Sequence, residues 1–163
     1  MPPPVACRER ILLAIETRLA AIATSVPGLT VERDREEPVE TKDMPRLVVT
    51  ELGEVLQGDL TGEDGWTLTL AVAGYVRGAT GANDAARAKA AAAAANDLRA
   101  RAQAALRADV TLGGLARDLR PAAEAEAFPL LIDCADPAKA FATPWEVDYA
   151  TEEGDPYTFA THV

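Results

Sequence analysis

The sequence predicts an α+β domain: a mostly antiparallel sheet of about four to five strands, with an N-terminal helix and a long central helix packed on it. Three observations predict it. Residues 66–76, Trp66-Thr67-Leu68-Thr69-Leu70-Ala71-Val72-Ala73-Gly74-Tyr75-Val76, alternate large apolar residues with small or polar ones, the period of a strand with one buried face. Residues 83–109 hold no proline and no glycine, open on Asn83 as N-cap with Asp84 in the first turn, and run through the alanines at 90–95. Residues 8–25 set Ile11, Leu12, Ile15, Leu19 and Ile22, with Val26 beyond them, on one helical stripe and Glu9, Glu16 and Thr17 away from it.

Taken in order, residues 1–7 read as an extended leader with Pro2, Pro3 and Pro4, and the first helix stops at Pro27-Gly28. Residues 29–33 alternate as a short strand. Residues 34–44 crowd Glu36, Glu37, Glu40 and Asp43 around Pro38 and read as a solvated loop. Pro45 opens the strand 46–52. Residues 53–65 then read as a long hairpin connection, with Gly58, Gly62 and Gly65 among acidic residues, leading to the 66–76 strand paired antiparallel with 46–52. The helix that follows would be about 40 Å long. Its Ala91, Ala94, Ala95, Leu98, Ala102 and Ala105 share a face on which small side chains allow close approach. That face suits the sheet or a neighbouring subunit, and plain helix propensity explains the alanines equally well.

After Asp109, residues 111–114 turn the chain, and 115–120 read as a strand ended by Pro121. Residues 122–129 fit either a loop or a continuing strand, 130–132 form a brief apolar segment, and 136–142 fit a single helical turn. Residues 144–150 alternate as the last strand, and 151–163 form a polar tail. One domain spans 1–163, with its core in 8–150.

The formal charge of −10 argues against general electrostatic attachment to nucleic acid or anionic lipid, although Arg99, Arg101 and Arg107 cluster locally. The N-terminus has neither signal- nor transit-peptide character, and no apolar run approaches ~18 residues. A soluble protein made in the cytoplasm, without membrane contact, is the expectation. Cys7 and Cys134 lack a CxxC context and read as reduced structural thiols.

Chemistry-bearing patterns are weak. The one histidine, His162, adjoins the C-terminus, which argues against a nucleophilic triad or a His-ligated zinc. Residues 78–83 lack the Lys-Ser/Thr ending of a P-loop and the third glycine of a dinucleotide fingerprint. Asp133 and Asp136 flank Cys134, and the acids of 34–43 lack Asp-x-Asp-x-Asp-Gly spacing; both sets read as solvated carboxylates. Trp66 and Trp145 sit in alternating strands and read as packing residues. The expectation is no catalytic, cofactor or metal site, and no enzyme.

Several short motifs in order carry a resemblance: Met44-Pro45-Arg46-Leu47-Val48-Val49, then the acidic, glycine-containing hairpin, then the Trp66 strand and the Ala-rich helix ending Leu106-Arg107-Ala108-Asp109. Thr111-Leu112-Gly113-Gly114-Leu115-Ala116-Arg117-Asp118-Leu119 follows, and Trp145-Glu146-Val147-Asp148-Tyr149-Ala150-Thr151 with Gly154-Asp155-Pro156 closes the pattern. From about 8 to 157 the chain resembles the tail terminator, or tail-completion, proteins of long-tailed phages and gene transfer agents; 121–142 is its least familiar part. The resemblance implies a small α+β virion protein, assembled in the host cytoplasm, that forms a homo-hexameric ring. Such a ring caps the tail-tube protein, stops its polymerisation and docks the head–tail connector, while DNA passes through the lumen without specific binding. No cofactor is implied. Two other readings stay open: another head–tail joining protein of the neck, and a small ligand-binding domain or enzyme.

Two polar stretches on the strands are the candidates for partner contact, since loops on a rigid scaffold carry most binding. They offer Glu54, Gln57, Asp59, Glu63 and Asp64 in 53–65, and Asp155 and Tyr157 in the tail. Solvated connections are the plain alternative for both.

Overall fold

A computed structural model describes residues 3–60, 62–78, 83–122, 132–133 and 138–160. In chain order these form α1 (Cys7–Ala20), β1 (Thr30–Arg33), β2 (Val39–Glu40), β3 (Arg46–Leu60), β4 (Glu63–Arg77), α2 (Asp84–Arg107), β5 (Asp118–Pro121), β6 (Ile132–Asp133), β7 (Ala138–Glu152) and β8 (Asp155–Phe159). Six strands make one sheet in the order β1-β3-β4-β7-β5, with β8 also paired to β7. Every pair in it is antiparallel except β1–β3. The α+β class therefore holds, with one parallel pair and a larger sheet than the sequence suggests.

Both helices cover the same face. On α1, Cys7, Ile11, Leu12, Ile15 and Leu19 are buried, the stripe that the sequence spacing lays out. On α2, Asn83 Oδ1 accepts from the Ala86 amide at 2.9 Å and starts the helix. Its buried residues, Ala91, Ala95, Leu98, Ala102 and Leu106, recur every three or four positions. Apart from Ala91, these two stripes meet Leu47, Val49, Leu68, Leu70, Val72, Val76, Trp145, Val147 and Tyr149 in one core. Each fully buried Leu or Ile contributes roughly 1.5–3 kcal/mol relative to an exposed one. Cys7 is free and lies in this core. No helix among the described residues is long and apolar enough to cross a membrane.

The opposite face of the sheet has its own smaller cover. Val39 and Met44 pack with Val48, Ala73 and Tyr75, and β2 pairs in parallel with β6. The 34–44 stretch is thus more than a solvated loop: Val39 is almost fully buried and pins the segment to the back of β3 and β4. Alanines on that side of β4 leave room for this second layer.

The joint after α2 explains the Asp-x-Thr-Leu-Gly-Gly stretch. Asp109 accepts from the Thr111 amide at 2.9 Å, the Thr111 hydroxyl at 2.6 Å and the Gly113 amide at 2.8 Å. Arg18 of α1 reaches the same carboxylate at 2.6 Å. The Thr111 hydroxyl, and then the Arg18 guanidinium, hold the Asp109 carboxyl well below the usual carboxylate range. Leu112, Gly113 and Gly114 all adopt positive φ (52°, 73° and 89°), which two glycines make accessible. Leu112 is nevertheless buried, so the turn tucks one apolar side chain into the core while reversing the chain towards β5.

Several expectations are corrected. Residues 53–65 are not a loop: β3 and β4 run as one ladder from Arg46↔Tyr75 to Leu60↔Glu63. Gly53 and Gly58 sit at bulges, with register shifts between Glu51 and Gly53 and between Leu56 and Gly58, while Gly62 lies in the reversal. Residues 138–142 belong to β7 rather than a helical turn, because they pair with 73–77 of β4. The polar tail from 151 is the end of β7 and the whole of β8, so the core does not stop at 150. Nor does the leader extend to 7, since Cys7 opens α1 and is buried. The α-helix ends at Ala20, and Ala21–Thr24 is a 3-10 turn. Residues 79–82, 123–131, Cys134, Asp136 and His162 lie outside the described residues, and with them the glycine turn and the alternatives at 122–129.

The alanine face of α2 also needs one correction: Ala94 is exposed, at the rim of a groove beside Val26, Pro45 and Val76, whereas Ala91 is fully buried. Ala91→Leu is expected to cost about 1–3 kcal/mol by overpacking. Ala94→Leu and Ala100→Leu should stay within about 0.5 kcal/mol of the parent. Urea unfolding of the three variants checks this, and equal midpoints would mean that α2 does not sit tightly on the sheet.

Candidate functional site

Two chain reversals come together at one end of the sheet. Leu60 pairs with Glu63, with Gly62 at φ 85°, and Glu152 pairs with Asp155, with Gly154 at φ 72°. Because β4 and β7 are in register through Glu63↔Glu152, the two turns lie side by side. The Glu153 amide donates to the Gly62 carbonyl at 3.2 Å, and the Gly154 amide donates to Asp64 Oδ2 at 3.0 Å. Asp155 Oδ1 accepts from the Tyr157 amide at 2.9 Å. That amide, and next the Thr158 hydroxyl, keep the Asp155 carboxyl below its ordinary value.

Glu63, Asp64, Asp155 and Tyr157, drawn from two separate stretches of sequence, are thus neighbours at this end. Their roles differ. Glu63 pairs with Arg117, Asp64 and Asp155 shape the turns, and Tyr157 stands about half exposed at 48%. Gln57 is exposed at the second bulge. The Asp59 backbone pairs with Asp64, and its side chain lies outside the described residues.

Glu54 turns the other way. It accepts from the Tyr149 hydroxyl, and Arg8 of α1 bonds Glu51 and stands 3.8 Å from Glu54. Burial, and then the neighbouring Glu54 carboxylate, push the Tyr149 hydroxyl far above its ordinary value. Tyr149 meets Phe159 edge-on at 6.4 Å, and the Arg10 guanidinium lies 4.7 Å from the Phe159 ring centre. The start of α1 therefore braces the place where the sheet emerges from beneath the helices. Trp66 adds a bond from its indole N–H to Thr151 Oγ1 at 3.2 Å.

On the opposite face, Arg120 of β5 sits among three carboxylates. It bonds Asp148, Glu146 at 2.9 Å and Asp118 at 3.2 Å, while the Thr67 hydroxyl donates to Asp148 at 2.6 Å. Beside them is a shallow concavity of about 380 Å³ that reaches Gln57 and Arg117. Burial alone would raise the Asp148 carboxyl, but the Arg120 and Thr67 bonds outweigh it and hold it below its ordinary value. The sequence reading missed this cluster. Its signal was the polar half of the alternation, Glu146 and Asp148 between Trp145, Val147 and Tyr149, which marks a face without saying what meets it.

The third feature is an edge. Asp34, at φ 49°, closes β1: its amide donates to the Val49 carbonyl at 2.9 Å, and its carboxylate accepts from the Glu51 amide at 3.1 Å. Beyond Glu51, no strand among the described residues pairs with the outer side of β3. Leu52, Val55 and Leu56 are 42%, 60% and 50% exposed on this stretch. No family model matches the chain, and no curated protein matches it.

The Arg120 cluster has a definite pH signature. Asp148 is held below its ordinary value, so its pairing contributes stability that is fully present above the unfolded-chain value near ~3.9. That stability is lost as pH falls through the folded value. Arg120→Leu is expected to cost roughly 1 kcal/mol at pH 7, a figure already reduced for solvent screening, and clearly less at about pH 2.5. Denaturant titrations at the two pH values check this; equal losses would reduce the guanidinium to a packing group.

Proposed function

We propose that the chain is a tail terminator of a long-tailed phage or a phage-derived particle such as a gene transfer agent. In this reading it is a structural subunit of the virion that closes into a hexameric ring on the finished tail tube. The ring ends tube polymerisation and presents a docking surface to the head connector.

The observation that supports this best is the sheet end. Strands β3, β4 and β7 are 15 residues each, about 50 Å of ladder. The helices cover only part of it. The remainder is a stiff, twice-paired extension carrying two bonded turns, an acidic rim and apolar side chains exposed along one edge. Exposed large apolar residues grouped on one edge suit assembly better than a free monomer. A ring also needs two different surfaces whose rotation closes, and an asymmetric sheet with unlike edges offers them. The Asp109 joint supports the reading as shared architecture rather than as a contact, since its polar groups are spent inside the chain.

Charge fits the passage of DNA. A subunit of net charge −10 repels phosphate, so a lumen lined by it would let DNA pass without holding it.

The turn end is the part expected to meet the tube. Replacing residues 58–65 by a tight turn leaves the 46–52 and 66–76 pairing that carries the core, so the variant should fold. In particles it should fail to end tails, giving tails of uncontrolled length or tails without heads by negative-stain microscopy. Normal tail lengths and normal infectious yield from the folded variant would remove this end from the tube contact.

A further inference from the structure

We infer that the open side of β3 along residues 52–58 is one half of a subunit interface, and that its occupant is a second copy of this chain added to the sheet edge. The inference rests on the ring reading above and assigns it a surface.

A strand edge presents N–H and C=O groups that another strand can pair with, and natural proteins blunt such edges unless they are used. The other sheet edges among the described residues are blunted: β1 has four residues and carries Glu32 and Arg33, and the part of β7 that precedes its β5 pairing carries Lys139 and Pro144. β5 ends in Pro121, and β8 contains Pro156 and only five residues. β3 carries no proline, and no Lys or Arg after Arg46. Its outer cover ends abruptly where Asp34 satisfies the Glu51 amide, and the next seven residues, paired with β4 on their inner side, have no partner strand on the outer side among the described residues. Val55 lies opposite Thr67, on the Arg120 side of the sheet, and Leu56 lies opposite Trp66, on the helix side. An added segment would therefore bury apolar surface on both faces of the edge.

Charge argues for a second copy as the occupant. The chain as a whole carries −10, so two copies repel over most of their surface. Residues 52–58 hold a single charged side chain, Glu54, and it is already bonded to Tyr149 within the subunit. This strip is where two copies can meet without setting carboxylates against each other. The chain also holds both signs needed for head-to-tail contact. Lys89, Arg99 and Arg107 are exposed on α2 without an ion pair among the described residues, and Glu152 and Glu153 are exposed at the sheet end.

The test compares wild type, Val55→Lys and Leu13→Lys by light scattering and sedimentation, each alone and with polymerised tail-tube protein. Leu13 is similarly exposed, at 47%, but lies on α1, away from the edge. Val55→Lys should weaken self-association by about tenfold or more with an unchanged melting curve, and Leu13→Lys should associate as wild type does. Where Val55→Lys also lowers the melting temperature, Val55→Thr, which keeps the β-branch and loses the apolar surface, is the variant to read. Wild-type association by all variants would overturn the edge assignment and leave the ring standing. A ring that forms normally with Val55→Lys but no longer binds the tube would overturn the second copy in favour of a foreign strand. A wild-type chain that stays monomeric even on the tube would overturn both readings.

Discussion

The constraint on which this structure depends is that β4 is paired on both sides and buried on both faces. It bonds β3 from Glu63 to Tyr75 and β7 from Glu63 to Arg77. Its even positions from Leu68 to Val72, together with Val76, face the two helices, and Ala73 and Tyr75 face the smaller β2–β6 layer. A strand placed like this cannot slip by one residue without sending leucines to the wrong layer and alanines into the main core. Gly74 shows how tight the fit is: a Cβ there would collide with the Phe141 ring, which occupies the space from the neighbouring strand.

Fixing β4 fixes the rest. α1 and α2 both dock on its helix-side face, and Arg18 ties α1 to the Asp109 joint at the end of α2. The same ladder continues past the helices without losing pairing, so the extension inherits the rigidity of the core. Arg8, Glu51, Glu54 and Tyr149 brace its base on one side, and Arg120 with its carboxylates braces the other. The two turns at its tip are bonded to each other through main chain and through Asp64. A surface built this way is preorganised, which spares a partner the cost of ordering it.

Much of this was legible in the sequence. The α1 stripe, the Asn83 cap, the length of α2 and the 66–76 alternation each follow from local periodicity, and each reappears in the fold. The misreadings of 53–65 and of 151–157 share one physical cause. Glycine and carboxylates in 53–65 and 151–157 look like loop residues, yet in paired strands glycine marks bulges and tight reversals, and acids at an edge stay in water. Pairing is a long-range property: Glu63 meets Glu152, and nothing near either residue announces it. For the same reason nothing in the sequence shows that Glu63, Asp64, Asp155 and Tyr157 gather at one end. Glu54 looked like a surface acid because its partner, Tyr149, is ninety-five residues away. The open edge with Leu52, Val55 and Leu56 was hidden by reading those residues as a connection. The alternation of 46–52, carried on through Val55 and Leu56 with one bulge allowed, was the signal.

The central proposal is that a stiff sheet extension, with one bonded end and one open edge, suits this chain to act as a ring-forming cap on a tube. A cryo-EM map of the tail end of the particle tests it most directly. The account predicts a six-subunit ring seated on the last layer of tail-tube protein, with the Gly62 and Gly154 turns towards a neighbouring protein and residues 52–58 of each β3 against the next subunit. A map placing the chain as an isolated subunit, on the portal side of the connector, or nowhere in the particle would contradict it.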